Sequence, residues 1–263
     1  MIRREEADTL WLIHQAAHAY IAGQIADHWI GSGTMDITPR EELLLAATYH
    51  DAGWAAAEQR PHINADGLPR TFTEMDLLDH FSIWQHSIEA VFVQNRYAGL
   101  LTSLHCTALY EQRLQYVADP PEDRAHIQSF LETWHTWQRK QIAALTDHPR
   151  YGSAVNAPRL GENLRLLQVW DYLSLLVCMS TVREQTLEDI PLATGERKTL
   201  RAAASGPRGM ALDPFPLDQP LTLWIDARAV AGGPFESDDA LRGVLADIPY
   251  RPLVFEITNF DAA

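Results

Sequence analysis

Cysteine is nearly missing from this chain: its 263 residues hold two, Cys106 and Cys178. Both lie in apolar helical runs, and no C-x2-C pair exists to found a thiolate zinc site. They read as buried free thiols of a reducing compartment. Basic residues are scarce too, with 21 Lys and Arg against 35 Asp and Glu, a formal net charge of −14. A nucleic-acid surface needs clustered cations to neutralise phosphates, so no nucleic-acid polymer is expected as a partner. A small phosphorylated molecule stays open, because a metal could hold it. No apolar run is long and clean enough to span a bilayer. The most apolar stretch, "LRLLQVWDYLSLLVCMSTV", carries Arg165 and Asp171. "MIRREEADTL" lacks the apolar core of a signal peptide. The expectation is a cytoplasmic protein with no membrane partner. There is no internal repeat and no low-complexity segment.

Hydrophobic residues make up 46% of the chain, enough for a sizeable core. "MIRR" and "TLWLI" read as two short extended runs. Residues 14–30 read as a helix, with His14, His18, Ile21, Ile25 and His28 recurring at steps of three and four. "GSGT" breaks it. "TPREELLLAATYHDAGW" opens with helix signals: Thr38 as N-cap, Pro39 in the first turn and Glu41 three after the cap. It ends near Gly53, and residues 55–72 read as a long loop, a functional lid or rim. Helices follow over 74–94, 97–112 and 119–145. After a loop over 148–163, an all-round apolar helix runs over 163–182. Beyond about residue 185 the helical period is lost. "LTLWIDARAV" and "RPLVFEITNF" read as strands, with a short helix in "SDDALRGVLADI" between them. The expected fold is mostly α: a helical metal-binding domain over 1–185 and a β-rich extension over 186–263. That extension would form a small cap with the N-terminal runs.

The chemistry centres on "LLLAATYHDAGW", where a buried-looking helix ends in adjacent His50 and Asp51. Adjacent helical residues point about 100° apart, so they share one ion only where the helix ends and the chain turns. Further ligands must then come from other helices. His18 lies on the inward face of the first helix, and His105 lies in "LLTSLHCTALY". Asp171 stands among Leu, Val and Trp, where a charge is costly unless paired or metal-bound. Several helices giving one ligand each around a bundle core is a known way to build a metal site. Trp54, beside the turn and the long loop, reads as a substrate-pocket residue. So does Gln168, which shares Asp171's face with Ser174. Arg165, with Arg96 and Arg113, is one of the few cations near these elements.

The order His18, His50-Asp51, Asp171 resembles the H…HD…D signature of the HD-domain superfamily of metal-dependent phosphohydrolases, over residues 14–181. In its bimetallic branches two more histidines follow the pair. His80, thirty after His50, and His105, twenty-five after His80, match that spacing; His86 is an alternative to His80. The blocks "HDAGW", "YAGLLTSLH" and "LLQVWDYLSL" also resemble an uncharacterised bacterial family with an HD-like core. Trp54 stands where cyclic-dinucleotide phosphodiesterases of the superfamily often carry Lys, and no GYP tripeptide follows. Cyclic dinucleotides are therefore not the expected substrate.

The resemblance implies one or two divalent transition ions, Fe, Mn, Zn or Co, held by His18, His50, Asp51, Asp171, His80 and His105. It implies a metal-activated water attacking a small phosphomonoester or phosphodiester. Asp51 would bridge two ions or orient the water, and a histidine such as His105 would protonate the leaving oxygen. Two rivals stand beside this. Four His and two Asp also suit an HD-type diiron oxygenase. A non-catalytic metal- or ligand-binding module is the third reading. A homo-oligomer stays open.

Overall fold

The computed structural model describes residues 1–33, 35–179, 182–231 and 233–260. Two short strands, β1 (Ile2–Glu6) and β2 (Thr9–Ile13), form a hairpin. Seven helices follow: α1 (Gln15–Asp27), α2 (Arg40–Tyr49), α3 (Trp54–Glu58), α4 (Leu77–Phe92), α5 (Arg96–Tyr116), α6 (Pro121–Leu145) and α7 (Ala157–Cys178). The chain closes with β3 (Gln185–Ala193), β4 (Glu196–Ala204), β5 (Gly209–Asp213), β6 (Leu221–Ala231), α8 (Asp238–Asp247) and β7 (Tyr250–Asn259). Ser180 and Thr181 of the expected central helix, and Thr34 of the expected GSGT break, lie outside the described residues.

The expectation of a mostly helical protein with a small β cap is overturned. About 49% of the chain is helix and 23% strand, and one curled seven-stranded sheet runs in the order β1-β2-β6-β7-β5-β4-β3. The N-terminal hairpin joins it through β2 and β6, with Leu10 opposite Val230 and Leu12 opposite Arg228. What the sequence hid is the far half. β3 contains Pro191, a left-handed Asp189 and two register irregularities, so it shows no clean alternation. β4 reads "ERKTLRAAA" and β5 "GMALD", both rich in helix formers. Pairing with neighbours decides their state, since strand propensity is weak and dependent on context.

The sheet buries both faces unequally. In β6, Leu221, Leu223, Ile225 and Ala227 enter the main core, while Thr222, Trp224 and Asp226 alternate outward. On the opposite face Leu10, Leu12 and Val230 are covered by Leu241 and Leu245 of α8, four residues apart on one helical face. Each of those two leucines contributes about 2 kcal/mol by burial.

Three helices, α5, α7 and α8, open on a side-chain cap. Asn95 accepts from the backbone N–H groups of Tyr97 and Ala98 at 2.9 and 3.1 Å, opening α5. Asn156 and Ser237 do the same for α7 and α8. Thr38 does not cap α2. Its hydroxyl bonds Asp36 instead, and Pro39 takes the N-cap position. At the other end of α7, the buried guanidinium of Arg4 donates to the Val177 carbonyl at 2.8 Å and to that of Pro207. A cation there suits the negative end of the helix dipole, and it ties β1 to the helix that carries Asp171.

Candidate metal centre

Four elements converge behind the sheet. α1 brings His18, the turn after α2 brings His50 and Asp51, α5 brings His105 and α7 brings Asp171. His18, His50 and His105 are each 1% exposed, Asp51 4% and Asp171 8%. His18 Nε2 lies 2.8 Å from Asp51 Oδ2. His50 Nε2 lies 3.2 Å from Asp171 Oδ1 and 3.8 Å from Asp51 Oδ2. His105 Nε2 lies 3.4 Å from Asp171 Oδ2. Within each of two groups, His18–His50–Asp51 and His50–His105–Asp171, the donor atoms fall inside 4.8 Å of one another.

Hydrogen bonds at the far side of two rings fix their protons. The Ala47 carbonyl can only accept, so His50 Nδ1 donates to it at 2.9 Å. The neutral ring therefore turns a lone pair at Nε2 toward Asp171, and that nitrogen is buried without a hydrogen-bond partner among the described residues. Ser174 spends its hydroxyl proton on the Asp171 carbonyl at 2.7 Å, so its oxygen accepts from His18 Nδ1 at 2.9 Å. His18 Nε2 is then also a lone pair, aimed at Asp51. Lone pairs facing carboxylates in a dry interior repel unless a cation stands between them. Either the rings are protonated or a metal ion takes that place, and outer-side bonds of this kind are what orient metal-ligating histidines. The residues fit a metal.

Without a metal the protons carry the charge. Burial works against a charged His50, but Asp51 and then Asp171 outweigh it and raise its pKa to about 9. Burial likewise pushes both carboxyls upward, and the facing imidazoles win, holding Asp51 below and Asp171 well below the usual carboxylate range.

The turn that presents the pair depends on Gly53. Its φ is −65°, an ordinary right-handed value, so no left-handed bend calls for glycine here. It is there for close approach. A Cβ at this position would lie 2.1 Å from the Ile83 carbonyl oxygen and 2.7 Å from the Ser87 nitrogen of α4. Its own N–H donates to Ser87 Oγ at 2.9 Å. Gly53→Ala is expected to cost about 2 kcal/mol of stability through overpacking, measured by urea unfolding of the metal-free protein. An unchanged midpoint would mean the turn can back away from α4.

The cluster opens into a cavity of about 130 Å³ lined by Trp54, Phe72, His80, Trp84, Leu109 and Leu175, among others. His80 belongs to its wall and to neither donor group. Its Nδ1 is 2.7 Å from the Tyr110 hydroxyl, and its ring sits between Trp54 and Trp84. Burial lowers its pKa to about 4, so it is neutral at neutral pH. His86 is exposed, bonds the Ser82 carbonyl and is not part of the wall.

The expected substrate-binding residues divide. Trp54 lines the cavity; Gln168 is half-buried and does not. Arg165 is turned away and donates to the carbonyls of Glu188 and Asp189, pinning the start of the sheet's far half to α7. Six residues before Asp171 is about 240° around the helix, which carries Arg165 off the site face. Arg113 is held by Asp119 at 2.8 and 2.7 Å. Sequence reasoning missed Gln15, Phe72, Trp84, Leu109 and Leu175. Three of these stand four residues after a donor candidate, and that spacing was a usable signal.

Fold and site together define an α+β protein, its sheet antiparallel in every pairing but β5–β7, whose helices deliver a buried histidine–aspartate centre able to hold a metal ion. Residues 1–232 match a family described as a protein of unknown function, DUF3891, and the chain belongs to that family. No curated protein and no solved structure matches it. No helix among the described residues is long and apolar enough to cross a membrane.

Proposed function

We propose that this protein is a metal-dependent enzyme of HD type, hydrolysing a small molecule with a water activated at the His18, His50, Asp51, His105 and Asp171 cluster. One observation carries the reading: Ser174 and Ala47 hold the far nitrogens of His18 and His50, so that both Nε2 atoms face two buried carboxylates. Imidazole and carboxylate donors suit Mn, Fe, Co or Zn. Both donor groups share His50, whose single free nitrogen serves one ion, so one ion per chain is the expected load. When bound, the ion supplies Lewis acidity that makes hydroxide available near neutral pH.

The protein's own groups do the rest. Asp51 accepts a proton from the attacking water while its other oxygen faces His18. Asp171 holds the imidazoles of His50 and His105 in register. His80, kept uncharged by burial above about pH 4, stays a neutral wall residue bonded to the Tyr110 hydroxyl. The trailing walls of Trp54 and Trp84 limit bulk water and strengthen each of these contacts.

A second reading, a dioxygen-activating centre, has its own support. The same site holds four His and two Asp against indole walls, and no Arg or Lys lines the cavity. Elemental analysis of protein purified without chelator comes first. A panel of phosphomonoesters, phosphodiesters and uncharged esters, run with and without oxygen, then decides. Metal-dependent turnover that ignores oxygen is the expected result. Turnover that needs iron and consumes oxygen selects the second reading, and a panel with no turnover of either kind overturns both.

A further inference from the structure

Four of the five segments that bring a donor or the wall histidine repeat one device; α1 is the exception, with Ala22 four after His18 and outside the cavity wall. Four residues after His50 stands Trp54, after His80 Trp84, after His105 Leu109 and after Asp171 Leu175, and all four line the cavity. On a helix that spacing is the same face one turn along. The donors thus form one ring and large apolar side chains form a second. Trp54 and Trp84, 2% and 3% exposed, are its inner walls. Leu109, 39% exposed, and the half-buried Leu175 and Phe72 form its open rim. Leu109 thus presents exposed apolar surface at the mouth of a buried polar cluster.

The cations that a phosphate would need are engaged elsewhere. Arg113, one turn beyond Leu109, is committed to Asp119. Arg60 and Arg70 line a separate cavity of about 330 Å³ that shares Trp54 as a wall, and there Arg70 is paired with Asp76. Asp76, Asp79, Asp238 and Glu58 line that same cavity, so it does not select anions.

We infer that the substrate of this centre is an apolar molecule with a small uncharged reactive head: the head enters the 130 Å³ cavity and the body rests on Leu109, Leu175 and Phe72. The inference rests on the proposed metal centre and narrows its substrate away from phosphate esters.

The test uses the full-length protein carrying the metal it is purified with, its content measured first by elemental analysis. Straight-chain alkyl hydroxamic acids, neutral in solution and directed to metals, are titrated calorimetrically alongside inorganic phosphate and phenyl phosphate. The dissociation constant is expected to fall about fourfold for each carbon added over the first few. Both phosphates are expected to bind more weakly than the longer hydroxamates. Leu109→Ala combined with Leu175→Ala is expected to bring the gain below about twofold per carbon with metal content unchanged. A flat series, or phenyl phosphate binding more tightly than the longest hydroxamate, overturns the inference and leaves the centre standing. A protein that takes up no transition metal removes the centre, and the inference with it.

Discussion

Asp171→Asn is expected to yield a folded protein that has lost the metal affinity proposed for the parent. The amide fills the space of the carboxylate, so the apolar packing of α7 around Leu167, Trp170 and Leu173 is undisturbed. What disappears is the charge that faces three imidazoles, at 3.2 Å from His50, 3.4 Å from His105 and 3.8 Å from His18. Losing an outer partner of a metal ligand already costs on the order of 10–100-fold in affinity. Losing a ligand that also sets the position of the others is expected to exceed ~100-fold. The consequence is visible in unfolding: saturating metal at about 100 times its Kd stabilises the parent by about 2.7 kcal/mol, and the variant by nothing measurable. His80→Gln is the companion, since His80 lies outside both donor groups and its loss leaves one ion bound. Elemental analysis and thermal melts with and without metal check both. An Asp171→Asn protein that keeps the parent's affinity would mean that this carboxylate merely neutralises protonated histidines.

The residues that carry this prediction were legible in the sequence because their types are costly in their surroundings. An aspartate between Trp170 and Tyr172, and a His-Asp pair ending a Leu- and Ala-rich helix, demand partners. The only partners that satisfy several of them at once are each other and a cation. The order His18, His50-Asp51, Asp171 could therefore be read without a structure. What could not be read is whatever depends on direction and pairing. Arg165 is close to Asp171 in sequence and turned away from it in space. The half of the sheet formed by β3, β4 and β5 carries no period of its own, because Asp189, Pro191 and the alanines of β4 take strand geometry from their neighbours. The role of Gly53 is set by the backbone of α4, thirty residues on, and no local pattern announces it. The apolar ring at Trp54, Trp84, Leu109 and Leu175 lies between these cases. It is written in the sequence at a fixed step of four, and it becomes meaningful only once the donors are known to meet.

Metal-free and metal-loaded protein should respond to pH with opposite sign. In the metal-free protein the cations are protons. The folded pKa of His50, about 9, stands above the unfolded value of 6.5. Its contribution is then fully present below about pH 6.5 and lost as pH rises through about 9, and it amounts to ~3 kcal/mol. Asp51 and Asp171 act at the other end: their depressed values contribute above the usual carboxylate range and fade as pH falls through their folded values. Between about pH 6.5 and about pH 9 the loss at His50 dominates and stability falls; His80, lowered to about 4 by burial, acts with the opposite and smaller effect, which is spent once pH passes its free value of 6.5. With a transition metal present the same Nε2 atoms must be free of protons to bind it. Each proton then competes with the ion, affinity climbs across the same window, and stability rises with pH. Urea unfolding at about pH 6 and about pH 8.5, with EDTA and with saturating Mn or Zn, measures the two slopes directly. Parallel slopes would make the centre a proton-neutralised buried network. A reversal of sign would mean that a metal ion takes the place of those protons.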